Sequence, residues 1–127
     1  MGARSRNLLI VVDDWEALDV YEELLGSKFS LVSAPFGSEG VRMARDLSNE
    51  RRPDRILLDL TLEDMHASEA CEKLRAREET RTIPVTVVLN AEEPAFERPG
   101  VFPLPGDQLL RRPYQPAQLV ELLCRDS

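Results

Sequence analysis

Residues 55–64, RILLDLTLED, decide the fold. Ile56, Leu57 and Leu58 form an apolar run that stops abruptly at a carboxylate, Asp59. An unbroken run of this length suits a strand buried on both faces, as in a parallel sheet covered by helices. The same design opens the chain, where Leu8 to Val12 runs into Asp13 and Asp14. Phe29 to Ala34 and Val85 to Leu89 supply two further short runs, the latter β-branched, and Leu109 and Leu110 mark a fifth.

Between these runs the apolar period lengthens from two to about 3.6 residues, as helices require. Leu18, Tyr21 and Leu25 recur at i, i+3 and i+7, and Gly26 after them suits a left-handed helix stop. Ser38 is a candidate cap for a helix striped by Gly40, Met43, Ala44 and Leu47, small enough for close packing. Ala67, Ala70, Cys71 and Leu74 repeat the pattern, and Pro116 opens a last helix carrying Leu119, Leu122 and Leu123. Between Ala91 and Gly106 stand Pro94, Pro99, Pro103 and Pro105, so the helix of that crossover is expected to be short, distorted or missing.

Alternating strands and helices predict one doubly wound parallel α/β sheet with right-handed crossovers. The 127 residues, 43% hydrophobic, suffice for one core and predict a single domain over 1–127, with its core at about 7–125. The formal charge of -7 opposes binding to nucleic acid or an anionic membrane. Arg51, Arg52 and Arg55 are expected to form a solvated face. Cys71 and Cys124 lack metal or disulfide spacing and read as buried thiols of a reducing compartment. No apolar run approaches the length of a membrane span, no leader pattern opens the chain, and Arg6 stands where a myristoylation motif needs Ser or Thr. A cytoplasmic location is expected.

Open parallel sheets place their polar sites at the carboxyl ends of the strands, near the point where strand order reverses. With strand order 2-1-3-4-5, Asp13, Asp14 and Asp59 end neighbouring strands about 5 Å apart. Three crowded carboxylates call for a cation, and hard oxygen ligands suit Mg²⁺. Mg²⁺ beside a carboxylate would also draw in a phosphoryl donor, with Asp59 as nucleophile.

The segments IVVDDWEAL, RILLDLTLED, VTVVLNA and LLRRPYQPAQLVELL follow one another in an order and at a spacing that resemble the receiver domains of bacterial two-component response regulators. The resemblance spans nearly the whole chain and implies a flavodoxin-like five-stranded sheet. It implies that Asp13 and Asp14 organise Mg²⁺, that Asp59 accepts phosphate and ligates the metal, and that the Thr61 carbonyl completes the protein ligands. It also implies a cis peptide before Pro113. The expected donor is a histidine kinase or phosphotransfer protein, and the expected output is contact with another protein rather than enzymatic turnover.

Several features depart from the family pattern. Asn90 stands where Ser or Thr usually bonds the phosphoryl group. Arg112 replaces the lysine before Pro113, bringing a planar fork in place of a point charge. Leu109 occupies the place of the switch aromatic, and the fourth crossover is rich in proline. Leu62 to Ala67 also lack the usual Pro and Gly of the loop after the phosphoacceptor. These departures support an alternative: a phosphorylation-independent pseudo-receiver acting as a protein-interaction module. A flavin-binding domain of the same topology is disfavoured, because no phosphate-cradling loop follows the first strand. His66 is expected to be a solvated loop residue, and Trp15 to pack against the first helix or shield the rim of the site.

Overall fold

The computed structural model describes residues 6–47, 51–60 and 65–125. Five strands, β1 (Arg6–Val12), β2 (Phe29–Ala34), β3 (Arg55–Asp59), β4 (Val85–Leu89) and β5 (Gln108–Arg111), form one sheet. Its order is β2-β1-β3-β4-β5 and every pairing is parallel. Four helices cover it: α1 (Trp15–Leu25), α2 (Gly37–Asp46), α3 (Ala67–Arg75) and α4 (Pro116–Cys124). This is the doubly wound architecture the apolar runs predict, and β3 and β4 are buried along their full length.

Side-chain alternation along the strands divides the core in two. Leu9, Val11, Ile56, Leu58, Val85 and Val87 face α2 and α3, whereas Leu8, Ile10, Val12, Leu57 and Val88 face α1 and α4. The helical stripes meet these faces with Tyr21, Leu25, Val41, Ala44, Ala70, Cys71, Leu74, Leu119 and Leu123, all buried. Gly40 lets α2 approach β1 closely. A methyl group there would come within 2.5 Å of a Val11 methyl carbon.

Among the described residues, no helix occupies the fourth crossover. Residues 90–107 instead form turns and an isolated antiparallel bridge between Arg98 and Phe102. The four prolines explain this, since each removes an amide donor and restricts the residue before it. The segment is anchored by a buried ion pair. The Arg75 guanidinium donates to both Asp107 carboxylate oxygens, at 2.9 and 2.8 Å, and those oxygens also accept from the Val85 and Leu104 amides. Arg75 reaches the Val101, Arg81 and Ile83 carbonyls as well. One arginine thus replaces the packing that a helix would have supplied.

Several local expectations are corrected. Gly26 is right-handed, with φ -63°, because its amide simply continues the α1 ladder to the Glu22 carbonyl. The residue at the N-cap of α2 is Phe36 rather than Ser38, so the helix begins two residues earlier, at Gly37. Arg55 is not part of a solvated basic face: its inward position on β3 buries it, and it donates to the Thr86 hydroxyl at 3.1 Å. Cys71 is buried, but Cys124 is only half-buried near the end of α4. No helix among the described residues is long and apolar enough to cross a membrane.

Candidate functional site

The β1–β3 register pairs Val12 with Asp59, so Asp13 and Asp14 emerge from β1 just beyond the level of the Asp59 carboxylate. Asp59 is the last residue of β3, and its side chain is 2% exposed. A carboxylate this deeply buried needs partners. Among the described residues two are present, and both reach Oδ2: the Tyr21 hydroxyl donates at 2.5 Å, and the Arg112 guanidinium forms an ion pair with it.

Each partner follows from its element. Tyr21 lies on the buried stripe of α1, which faces the β1–β3 side of the sheet, and its ring is enclosed with Leu25, Leu57 and Leu119. The phenol tip therefore meets the interior acid at the end of β3. Burial, then the charge and hydrogen bond of Asp59, push the Tyr21 phenol well above its ordinary value and keep it neutral. Tyr114, in the β5–α4 connection, donates to the Tyr21 hydroxyl at 3.3 Å and extends the chain of hydroxyls toward α4.

Arg112 follows β5 directly, and its amide donates to the Leu89 carbonyl at 2.8 Å, extending the sheet by one bond. The peptide between Arg112 and Pro113 is cis, as the resemblance implies. The hydrogen bond to Asp59 raises the Arg112 pKa, with burial working against it and the Asp59 charge adding to it. Its second nitrogen reaches Asn90 Oδ1 at 3.3 Å. Asp59, Arg112 and Asn90 are thereby brought together. Arg111 closes the end of β4 by donating to the Asn90, Ala91 and Glu93 carbonyls.

The paired acids behave differently. Asp14 is exposed and caps α1, its Oδ1 accepting from the Glu16 amide at 3.2 Å. Asp13 is half-exposed at the end of β1. Among the described residues, no three Asp, Glu, His or Cys side chains gather closely enough to hold a metal ion. Thr61 lies outside the described residues, as do Leu62, Glu63 and Asp64 of the same loop. Among the described residues, a guanidinium and a phenol take Oδ2 of Asp59, and Asp14 serves its helix.

Leu109 sits half-buried on β5, packed against the α2–α3 side of the core. His66 is more constrained than a solvated loop residue. It caps α3, with Nδ1 accepting from the Ser68 amide at 3.0 Å, and its Nε2 lies 3.4 Å from Glu93. Its ring also meets Phe96 edge-on at 5.7 Å. Trp15 neither packs against α1 nor caps it, since Asp14 caps the helix and the indole is 82% exposed. It lines a cavity beside the acids with Leu18, Pro35 and Phe36.

Tyr21 is the site residue that sequence reasoning missed, having been counted only as an apolar member of a stripe. A signal was available: a buried tyrosine hydroxyl must find a partner, and the stripe points toward the β1 and β3 strand ends.

No protein-family model matches this sequence, and no curated protein matches it either. Solved structures do. The chemotaxis response regulator CheY4 of Vibrio cholerae is similar over 96% of this chain and 98% of its own, with 20% identity and a TM-score of 0.77. The signal receiver domain of a signal transduction histidine kinase from Syntrophus aciditrophicus is similar over 95% of this chain and 89% of its own, at 21% identity and TM-score 0.75. The receiver domain of the sensor histidine kinase PA1611 from Pseudomonas aeruginosa, described with a magnesium ion coordinated in its active-site cleft, covers 96% of this chain and 97% of its own, at 22% identity and TM-score 0.72. With its five parallel strands ordered 2-1-3-4-5, this chain has the fold of response-regulator receiver domains.

Proposed function

We propose that this chain is a signalling receiver that works by protein contact and does not use phosphate on Asp59 as its signal. The observation that carries this reading is the double engagement of Asp59 Oδ2 by Tyr21 and Arg112 in a site where the carboxylate is 2% exposed. A nucleophilic carboxylate must present a lone pair in line with an incoming phosphorus atom. Here Asp59 serves as a buried anchor that ties α1, β3 and the β5–α4 connection together. The departures at Asn90, Arg112 and Leu109 fit the same reading, since they lie at the positions that would sense phosphate rather than at the acid pair.

A second reading keeps the phosphoacceptor, and the β1–β3 register favours it by bringing Asp13 and Asp14 to the same end of the sheet as Asp59. In that reading a phosphohistidine of a histidine kinase or phosphotransfer protein donates to Asp59. Asp13, Asp14, Asp59 and the Thr61 carbonyl would hold Mg²⁺, which when bound neutralises phosphoryl oxygens. Arg112 and Asn90 would contact the phosphoryl group, and Leu109 would occupy the switch position. In that reading the attacking oxygen is Oδ1, which takes part in neither of these bonds, or Oδ2 once Arg112 and Tyr21 release it.

Intact mass after incubation with Mg²⁺ and a small phosphoryl donor separates the two, with Asp59→Asn and a phosphate-accepting receiver run in parallel. An unchanged mass in both forms of this protein, while the reference receiver gains a phosphoryl group, is the expected result. A gain in the parent that Asp59→Asn abolishes would replace the first reading with the second.

A further inference from the structure

Beside the acid pair, at the carboxyl ends of β1 and β2, lies a cavity of about 280 Å³ lined by Asp13, Asp14, Trp15, Leu18, Pro35 and Phe36 among others. Trp15 and Phe36 are two of only three large apolar side chains that the described residues leave exposed, at 82% and 50%. Their exposure has no counterpart in the core, because each sits at the start of a helix whose buried stripe begins later, with Tyr21 on α1 and with Gly37 and Gly40 on α2.

The cavity is smaller than the roughly 300–1,000 Å³ of cofactor and small-molecule sites, and it accommodates one or two side chains. Its charge is one-sided. Asp13 and Asp14 line it, Glu16 follows in the first turn of α1, and the chain as a whole carries -7. That field repels nucleotides, anionic lipid and a second copy of the same chain, and it attracts cations. An exposed indole face beside carboxylates suits a guanidinium or ammonium group, which gains from both.

We infer that this cavity docks a basic, apolar-flanked segment of a partner protein, an arginine or lysine lying over Trp15 while a neighbouring apolar side chain enters between Leu18 and Phe36. The inference rests on the protein-contact reading of the receiver and names the surface and the chemistry of its partner. It does not involve Asp59, which does not line the cavity.

Trp15 is the only tryptophan in the chain and therefore reports on its own site. The probe is a short tryptophan-free peptide of alternating arginine and leucine, followed by Trp15 emission and, for a labelled copy, by anisotropy. Saturable binding with a shift in Trp15 emission is expected. Phe36→Ser, which leaves a good helix cap on an exposed position, and Trp15→Ala should each weaken tracer binding by about tenfold. Replacing two exposed acids elsewhere, Glu78→Gln with Glu79→Gln, should change it by less than about twofold. The peptide titration reads Trp15 and its cavity, whereas the mass measurement reads Asp59, which does not line it, so the two can fail separately. Absence of binding, equal loss in the distant acid pair, or indifference to Phe36→Ser and Trp15→Ala would each overturn the proposal. Self-association in sedimentation that Phe36→Ser abolishes would instead assign the cavity to a second copy.

Discussion

Asp107→Ala is predicted to be among the most damaging single substitutions in this protein. The Asp107 side chain is wholly buried, and that of Arg75 is 4% exposed. Removing the carboxylate strands the guanidinium in the interior, at a cost of about 3–5 kcal/mol for breaking one side of a buried pair. It also strips the acceptor from the Val85 and Leu104 amides, each a loss of about 1–3 kcal/mol if nothing else reaches it. These effects overlap, because the 90–107 segment will shift to admit water, so a total near the pair value of about 4 kcal/mol is expected. That is a large share of the 5–15 kcal/mol typical of a domain. Urea unfolding followed by circular dichroism should show a midpoint lowered by about 2 M, for a slope near 2 kcal/mol/M. Arg75→Met should cost a similar amount, and the two together should fall well short of additive. A loss below about 1 kcal/mol for Asp107→Ala would refute the idea that this pair replaces the missing helix.

Gly40→Ala should destabilise by about 1–3 kcal/mol in the same assay, because the added methyl meets both Val11 methyl carbons at 2.5 and 2.8 Å across a packed helix–sheet contact. The Tyr21 contribution to stability should be constant below pH 10 and fall above it, since its pKa is raised from an unfolded value of 10.0: the unfolded chain releases that proton first and gains about 1.4 kcal/mol per pH unit. Tyr21→Phe should abolish that component of the alkaline loss, measured as the pH dependence of the unfolding midpoint. Cys71, buried with its thiol pushed up to about 12 by burial, should resist thiol reagents in the native protein and react at the rate of unfolding.

Much of the fold was legible because short apolar runs closed by carboxylates have few alternatives to buried parallel strands. The bounds of β2 and β4 follow directly from Phe29–Ala34 and Val85–Leu89, and the prolines of 94–105 announced that a helix there would be short, distorted or missing. What occupied its place was not legible. Arg75 and Asp107 are 32 residues apart, and nothing local marks either as buried. Arg55 was misjudged for the same reason, since a charge next to Arg52 and Pro53 reads as surface until the strand phase turns it inward. At the site, the sequence located the three acids but not their company. Asp14 took a local task as the cap of α1, while Asp59 found its partners in Tyr21, read as core, and Arg112, read as a phosphate contact. Such pairings depend on the angle at which α1 crosses the sheet and on the reach of one guanidinium, which residue spacing does not encode.

Unfolding of Asp59→Asn against the parent distinguishes an anchored carboxylate from a crowded one most directly. If Asp59 is held by Tyr21 and Arg112, losing its charge should destabilise the protein by about 1–3 kcal/mol, the lower part of that range allowing for the partial exposure of Arg112. A variant as stable as the parent, or more stable, would mean that the dominant force on Asp59 is repulsion from Asp13 and Asp14, and the anchor would have to be abandoned.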